Sequence, residues 1–577
     1  MAERDLRVAR AALDIEPSLA AFHARQAAPD AVGDEDRVRS SCERTPTSRS
    51  GERSVSSSSF GFGRHSGRVD TKTSPRSERR GCELLRVVTT HSEPPEKTPV
   101  VKAIPPKSAD LSEWYQAVCY KAELVSLAPV RGCVVLRPYG YGLWERLQSV
   151  LDAHFKATGH ENAYFPLLIP ESLFAREAEH VEGFAPEVAW VTQGGNEKLT
   201  ERLAIRPTSE VIVGVMYAEW LQSYRDLPIL INQWVNVMRW EKRTRPFLRT
   251  LEFLWQEGHT AHATESEAAA EVQQMLDIYR QVAEDVAAVP VYTGEKSAAE
   301  RFAGATHTYS IEALMPDGRA LQAGTSHELG QNFSKTYDIK FAAEDQSVQY
   351  AWTTSWGMSW RLLGALIMVH GDDRGLRLPP KMAPIEAVIV PIVRADSGDV
   401  TAAARALYAA LKTAQVRVKL DERDLRPGNK FADWEMRGVP LRIEFGAKDL
   451  AAGVATLVRR DKAFGENGAK MTVPLGEVAA RIPALLADIQ ANLYSEAAAF
   501  LAAHTLRATE RDDFLRRCKE RAGMIDIAWC GRAECEADVK AQTSATTRNT
   551  RALESGDTAC VACGEPATLR AYFAQSY

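Results

Sequence analysis

In "YGLWERLQSVLDAHFKATG" (residues 141–159), Leu143, Leu147, Val150, Leu151 and Phe155 recur at three- and four-residue intervals, which predicts an amphipathic helix. The next stretch, "AYFPLLIPESLF" (163–174), reads as a buried strand interrupted by prolines, and "IRPTSEVIVGVMYAEWL" (205–221) as a loop entering a helix. The period changes in "RWEKRTRPFLRTLEFLWQEGHTAHAT" (239–264), where Arg239 and Glu241 are two apart, as are Phe253, Trp255, Glu257 and His259. Residues i, i+2 and i+4 of an extended chain share one face. The segment is therefore expected to form two antiparallel strands joined by a basic loop, with Arg and Glu from one strand beside Trp, Glu and His from the other. Such a face makes a polar pocket floor with an aromatic wall. Beyond it, "EVQQMLDIYRQVAEDVA" (271–287) has helical spacing, and "YAWTTSWGMSWRLLGALIMVHGDDRGLRLPP" (350–380) reads as a strand, a Gly-Ser turn and an apolar helix.

A proline-rich link, "LPPKMAPIEAVIVPIV", puts a domain boundary near residue 380. Residues 384–490 alternate strand-like runs ("IEAVIVPIV", "VRVKLD", "PLRIEFG", "VATLVRR") with helical ones, as an α/β unit does. Residues 491–577 form a small third unit, and 106–380 a larger first domain. Residues 1–105 contain "CERTPTSRSGERSVSSSSFGFGRHSGR", too poor in large apolar side chains to bury a core, and are expected to be disordered. Their Arg and Ser content suits an organelle transit peptide, but Glu3, Asp5, Asp14, Glu16 and Asp34–Asp36 are acids such peptides avoid, so a cytoplasmic location is expected. No apolar run approaches the roughly 18 residues of a membrane helix, so no membrane partner is expected. Lys and Arg number 71 against 76 Asp and Glu, so a nucleic-acid partner has to meet local basic patches rather than a basic whole.

Of nine cysteines, four are patterned: Cys530 and Cys535 in "CGRAEC", Cys560 and Cys563 in "CVAC". Two close pairs separated by a polar stretch can bring four thiolates to one tetrahedral zinc ion. Four thiolates leave no open coordination position, so the zinc would be structural.

Four polar clusters in the first domain share one explanation: "RPTSE" (206–210), the 239–264 hairpin, "QAGTSH" (322–327) and "GMSWR" (357–361). Arginines held at separate points suit a polyphosphate, and carboxylates beside them suit an ammonium group or a metal. These clusters resemble the three motifs of class II aminoacyl-tRNA synthetases. The strings "RPTSE", "RPFLRTLEFLWQEGHTAHAT", "GTSHELGQNF" and "HGDDRGLRLPP" are specifically similar to the prolyl-tRNA synthetase family, a resemblance that covers residues 110–577 and includes "RPGNKFADWEMRGVPLRIEFG".

That resemblance implies an α+β catalytic domain with an antiparallel sheet flanked by helices, then an α/β anticodon-binding domain and a small zinc-binding domain of the archaeal and eukaryotic-like branch. It implies a homodimer built on the first motif, with ATP, Mg2+, L-proline and tRNA(Pro) as reactants and partners. Arg239 is expected to hold the α-phosphate and the proline carboxylate, and Arg361 the γ-phosphate. Glu241, Arg249, Thr250, Gln322 and Thr325 match further ATP contacts. Thr208 and Glu210 match acceptors for the proline ammonium, with Trp255, Glu257, His259 and His327 lining the rest. The implied reaction forms prolyl-adenylate and pyrophosphate, then passes the prolyl group to the tRNA terminus. The Tyr577 carboxylate is implied to approach the active site. Trp360 departs from the small residue expected before the motif arginine, and the spacing between hairpin and third motif leaves no room for the bacterial-type editing insertion. Two other readings stand beside this one: a threonyl or histidyl relative, which shares the fold and anticodon module but against which "TSE", "WQEGH" and "GTSH" argue, and a catalytically silent synthetase-like tRNA-binding protein, a kind that normally loses the phosphate-binding groups present here as Arg239, Arg249, Gln322 and Arg361.

Overall fold

The structure is a computed structural model and describes residues 98, 99, 101, 103–178, 188–393 and 398–577. The expectation of disorder for residues 1–105 falls almost wholly outside the described residues.

Helix α1 (Pro138–Ala157) begins on a proline, which has no N–H to leave unbonded at the first turn. It buries Leu143, Leu147, Leu151 and Phe155 as its spacing predicts, while Val150 stays half-buried. The following segment departs from the expected strand. Only Leu168–Pro170 is extended, and Glu171–Ala178 is helical. Proline offers no donor for a ladder, so a run holding Pro166 and Pro170 cannot continue as an interior strand.

Helix α2 (Glu210–Trp220) leads into the central sheet. Its strands are β1 (Ile229–Met238) and β2 (Glu252–His262), then, after helix α3 (Glu265–Gln281), β3 (Tyr292–Glu295), β4 (His307–Leu314), β5 (Ala320–Gly330) and β6 (Trp352–Ser359). They pair antiparallel in the order β3-β4-β5-β6-β2-β1. The hairpin register, Ile229 opposite Ala261 through Met238 opposite Glu252, bears out the two antiparallel strands read from the sequence. Gly357 and Ser359 lie inside β6, not in a turn: Gly357 pairs with Thr325 on one side and Glu257 on the other. The chain turns instead at Trp360 and enters helix α4 (Arg361–His370).

One face of the sheet packs on α1, α3 and α4 through Trp356, Met358, Tyr279 and Phe155. Gly258 makes that packing possible. A Cβ there would lie 2.1 Å from Trp356 Cζ2, so the indole lies directly across β2. The opposite face of the sheet is an open cleft.

Residues 386–485 hold a five-stranded sheet in the order Val418–Leu420, Ala387–Ile392, Leu441–Gly446, Val454–Arg459, Lys470–Pro474. Its first two pairings are parallel and the last two antiparallel. Strand Ala387–Ile392 is buried along nearly its whole length, as a central parallel strand between helices must be. The helix Val478–Ala503 then runs from this unit into the C-terminal one. There the strand β7 (Thr546–Arg551) joins β3 through Thr550 opposite Glu295, so the central sheet continues into the cysteine-bearing unit.

Candidate active site

A cavity of about 240 Å3 opens on the cleft face of the central sheet. "RPTSE" forms one wall. Arg206, nearly fully buried, donates to the carbonyls of Phe165 (2.6 Å) and Asn236 (2.9 Å) and so pins the segment to β1. Its side chain is consumed in that role. The Thr208 hydroxyl donates to Glu210, which sits in the first turn of α2, where the helix dipole favours a carboxylate.

Glu257 of β2 is 2% exposed and accepts from the Ser209 amide (3.2 Å), the Ser209 hydroxyl and Gln233 Nε2 (2.7 Å). His259 Nε2 lies 3.3 Å from it, close enough for charge attraction but without hydrogen-bond alignment. Burial opposes charge on Glu257, yet His259, Ser209 and Gln233 outweigh it and hold the carboxyl below its usual range. Burial likewise opposes the His259 imidazolium, and Glu257, with help from Glu210, outweighs it and lifts His259 above its ordinary value. The floor therefore carries an anionic oxygen pair at neutral pH.

Arg239 lies just past the end of β1, whose last residue is Met238, rather than within the strand as the alternation suggested. Its backbone still bonds Leu251 O at 2.8 Å, and Nε donates to Pro207 O at 3.1 Å. The guanidinium rests 5.4 Å from the ring centroids of both Phe253 and Trp255, a cation–π seat facing the cleft. Glu241 also lies beyond the strand and meets Arg249 at 3.4 Å.

Gln322 and Thr325 are three residues apart and should point to opposite faces of a regular strand. A bulge at Ala323 resolves this: Gln322 pairs with Glu312 and Gly324 with Ile311, leaving Ala323 unpaired, so Gln322, Thr325 and His327 all line the cavity. His327 bonds Thr308 through Nδ1 (3.0 Å), and burial together with the cations Arg239 and His259 pushes its pKa down to about 3. It is a neutral imidazole at pH 7. Arg361, at the start of α4, donates from Nε to Leu248 O (3.1 Å), and burial with the repulsion of Arg239 and Arg249 lowers its pKa to about 10. Trp360, the departure in this motif, is buried against Phe247 at 5.8 Å and packs without entering the cavity.

Of the residues picked from the sequence, Thr208, Glu210, Arg239, Trp255, Glu257, Gln322, Thr325, His327 and Arg361 meet around the cavity. His259 stands behind Glu257. Glu241, Arg249 and Thr250 are not among the lining residues: Glu241 and Arg249 pair with each other, and the Thr250 hydroxyl donates to Glu252 O (2.7 Å). Phe302, Thr308, Glu300 and Ser355 also line the cavity and were not picked. Ser355 shares the two-residue alternation with Gly357 and Ser359, a signal that was available. Ser355 Oγ and Trp255 Nε1 are buried with no hydrogen-bond partner among the described residues. Tyr577 donates from its backbone N–H to Ala320 O (3.1 Å) and from its hydroxyl to Asp317 (2.8 Å), and accepts from Arg249 at its carbonyl oxygen at 3.5 Å.

In the C-terminal unit, Cys530, Cys535, Cys560 and Cys563 bring their four sulfurs within 4.8 Å of one another. Cys530 and Cys563 are 3.6 Å apart, and Cys535 and Cys560 3.8 Å. Four sulfurs at zinc–sulfur bond length on a tetrahedron lie about 3.8 Å apart. The donor set therefore fits a zinc ion.

The antiparallel sheet, with Arg239, Arg361, Glu210 and Glu257 lining a cavity on one face, is that of a class II aminoacyl-tRNA synthetase core. Residues 190–370 match the family model "tRNA synthetase class II core domain (G, H, P, S and T)", 386–485 match "Anticodon binding domain", and 511–577 match "Prolyl-tRNA synthetase, C-terminal". The proline–tRNA ligase of Symbiobacterium thermophilum is 55% identical over 491 residues, covering 84% of this chain and 100% of its own length. That of Natranaerobius thermophilus is 52% identical over 481 residues, 83% of this chain and 98% of its own. The chain belongs to the proline–tRNA ligase family.

Proposed function

We propose that this ligase activates L-proline with ATP in the 240 Å3 cavity and then charges tRNA(Pro) from the same cleft. One observation carries the reading: Arg239, Arg361, Glu210 and Glu257 line one cavity, with Arg239 near enough to Glu210 and Glu257 to feel both charges. A zwitterionic amino acid fits the floor, its ammonium toward Thr208, Glu210 and the Glu257–His259 pair and its carboxylate toward Arg239. Neutral His327 and Phe302 supply an uncharged wall for the ring.

With the carboxylate seated by Arg239, an oxygen attacks the α-phosphorus in line, and the bond to the bridging oxygen breaks as pyrophosphate leaves toward Arg361. Arg239 neutralises charge at the pentavalent centre, so catalysis is positioning and electrostatics without a covalent enzyme intermediate. Gln322 and Thr325, brought together by the Ala323 bulge, hold the nucleoside, while Glu241, Arg249 and Thr250 frame the loop over it. Mg2+ supplies charge neutralisation on the phosphates. In the second step a terminal ribose hydroxyl of the tRNA attacks the adenylate carbonyl and AMP leaves. Arg239 and Arg361, both lining the cavity, speak against the silent tRNA-binding reading. Arg239→Ala tests the assignment: adenylate formation is lost while the thermal melt is retained, and near-normal activation overturns it.

We assign residues 106–380 to catalysis, 384–490 to anticodon binding and 491–577 to the zinc-binding unit. The free Cys119, Cys133 and Cys518 fit a reducing cytoplasm, and among the described residues no helix is long and apolar enough to cross a membrane. The first motif, α1 and the following "YFPLLIPESLF" (164–174), offers the surface for a homodimer, with the short strand Glu161–Asn162 between them at the sheet edge beside β1. An active species sedimenting as a monomer contradicts that part.

A further inference from the structure

Beneath the ATP end of the cavity lies a charge cluster that the reaction itself does not use. Glu312 of β4 is fully buried and meets two cations that are also buried. Lys296 Nζ lies 3.1 Å from Oε1, and Arg548 approaches both oxygens, Nε to Oε2 and Nη2 to Oε1, each at 3.2 Å. The Ser310 hydroxyl adds a donation at 2.9 Å. Lys296 and Glu312 belong to the catalytic domain. Arg548 comes from β7 of the cysteine-bearing unit, 236 residues further along the chain.

Glu312 is opposite Gln322, at the bulge that turns Gln322 and Thr325 toward the cavity. Arg361 in turn approaches the Gln322 carbonyl with Nη1 at 3.5 Å. The bulge leaves Ala323 without a ladder partner, so its shape depends on what holds the paired residues on either side. A carboxylate buried with a single lysine would retain rotational freedom, because an ammonium is a point charge. The planar guanidinium fixes both oxygens at once. The negative charge also faces Arg361, offsetting part of the repulsion from Arg239 and Arg249.

Resting on the ATP-site reading above, we propose that Arg548 is a positioning residue for activation: through Glu312 it sets the β4–β5 bulge that presents Gln322 and Thr325 to the nucleotide. The C-terminal unit thereby completes the ATP site without touching the substrate.

The test is ATP–pyrophosphate exchange by the full chain and by Arg548→Met, Arg548→Lys, Glu312→Gln and the Arg548→Met/Glu312→Gln pair, with ATP and proline titrated separately. Arg548→Met is expected to raise the ATP KM about tenfold, a modest fraction of what breaking a buried ion pair forfeits, with the proline KM within about twofold of wild type. Arg548→Lys keeps the charge but loses the fork, and recovers only part of the ATP KM. In the Glu312→Gln background the methionine adds less than twofold, because the path to the bulge is already cut. An unchanged ATP KM in folded Arg548→Met overturns the proposal, as does an effect that multiplies undiminished in the Glu312→Gln background. Should Arg548→Met fail to fold, Arg548→Lys decides alone: an ATP KM equal to wild type overturns it. Failure of the wild-type chain to exchange with proline would instead sink the ATP-site reading itself.

Discussion

Glu257→Gln isolates the floor of the pocket. The carboxylate accepts from Ser209 N, Ser209 Oγ and Gln233 Nε2 and faces the His259 imidazole, so every neighbour within reach is a donor. An amide of the same shape keeps one acceptor oxygen and turns an NH2 toward donors. In either orientation at least one buried donor loses its acceptor, and the proline ammonium loses a negative charge. Hydrogen bonds to charged groups contribute about 1.5–3 kcal/mol and an unsatisfied buried donor costs about 1–3 kcal/mol. Their overlap gives a net loss of about 2–4 kcal/mol, or about thirty- to a thousandfold in kcat/KM for proline. Pyrophosphate exchange with proline varied at saturating ATP reads this directly, with circular dichroism confirming the fold. The ATP KM should stay within a few-fold, because none of the hydrogen bonds of Glu257 runs to Gln322, Thr325 or Arg361. A folded Glu257→Gln enzyme whose proline kcat/KM is within threefold of wild type refutes the assignment of the floor to the ammonium.

The same variant inverts the histidine behind it. In the wild type, His259 is raised above 6.5, so its contribution to stability is complete below that pH and is lost as pH rises through the folded value. Glu257, held below 4.5, contributes fully above that pH and loses its part as acid titrates it. Without the carboxylate, burial dominates and His259 should titrate below 6.5, as imidazole 15N shifts would show; an unmoved titration contradicts the pairing. Gly258→Ala pushes a Cβ into Trp356, which is 1% exposed and has nowhere to go. Overpacking of this kind costs about 1–3 kcal/mol, and calorimetry should show a fall of several degrees in Tm, whereas an unchanged Tm means the indole does not lie across β2. Removing zinc with a chelator should lower the Tm of the C-terminal transition, and Cys535→Ser should abolish the chelator's effect; a melt indifferent to both argues against metal at the four thiolates. Removal of residues 1–105 should leave aminoacylation unchanged, and lost activity would assign the extension a catalytic part.

The hairpin was legible because strand alternation is strict: Phe253, Trp255, Glu257 and His259, each two apart along β2, have only one face to occupy. Arg239 broke the rule in an instructive way. It shares the pocket with Trp255 because its backbone still bonds Leu251 after the strand ends, and alternation carries no information about where a ladder stops. The bulge at Ala323 was not legible as a bulge. The string "QAGTSH" resembled a nucleotide-binding motif, but its odd spacing makes physical sense only once the β4–β5 register is known. Phe302 and Thr308 escaped notice because they reach the cavity through tertiary placement, with no local pattern. Arg548 was still further from view: an arginine in a short polar strand gives no sign that its partner is a buried glutamate 236 residues away. The cysteine spacing, by contrast, anticipated a sulfur arrangement of tetrahedral size because metal geometry constrains sequence separation directly.

The central claim is that this cleft activates proline. Purified protein supplied with ATP, labelled pyrophosphate and each standard amino acid in turn provides the most direct test. The account predicts exchange strongest with proline and abolished by Arg239→Ala. Exchange with no amino acid, from protein shown to be folded and zinc-loaded, would contradict it.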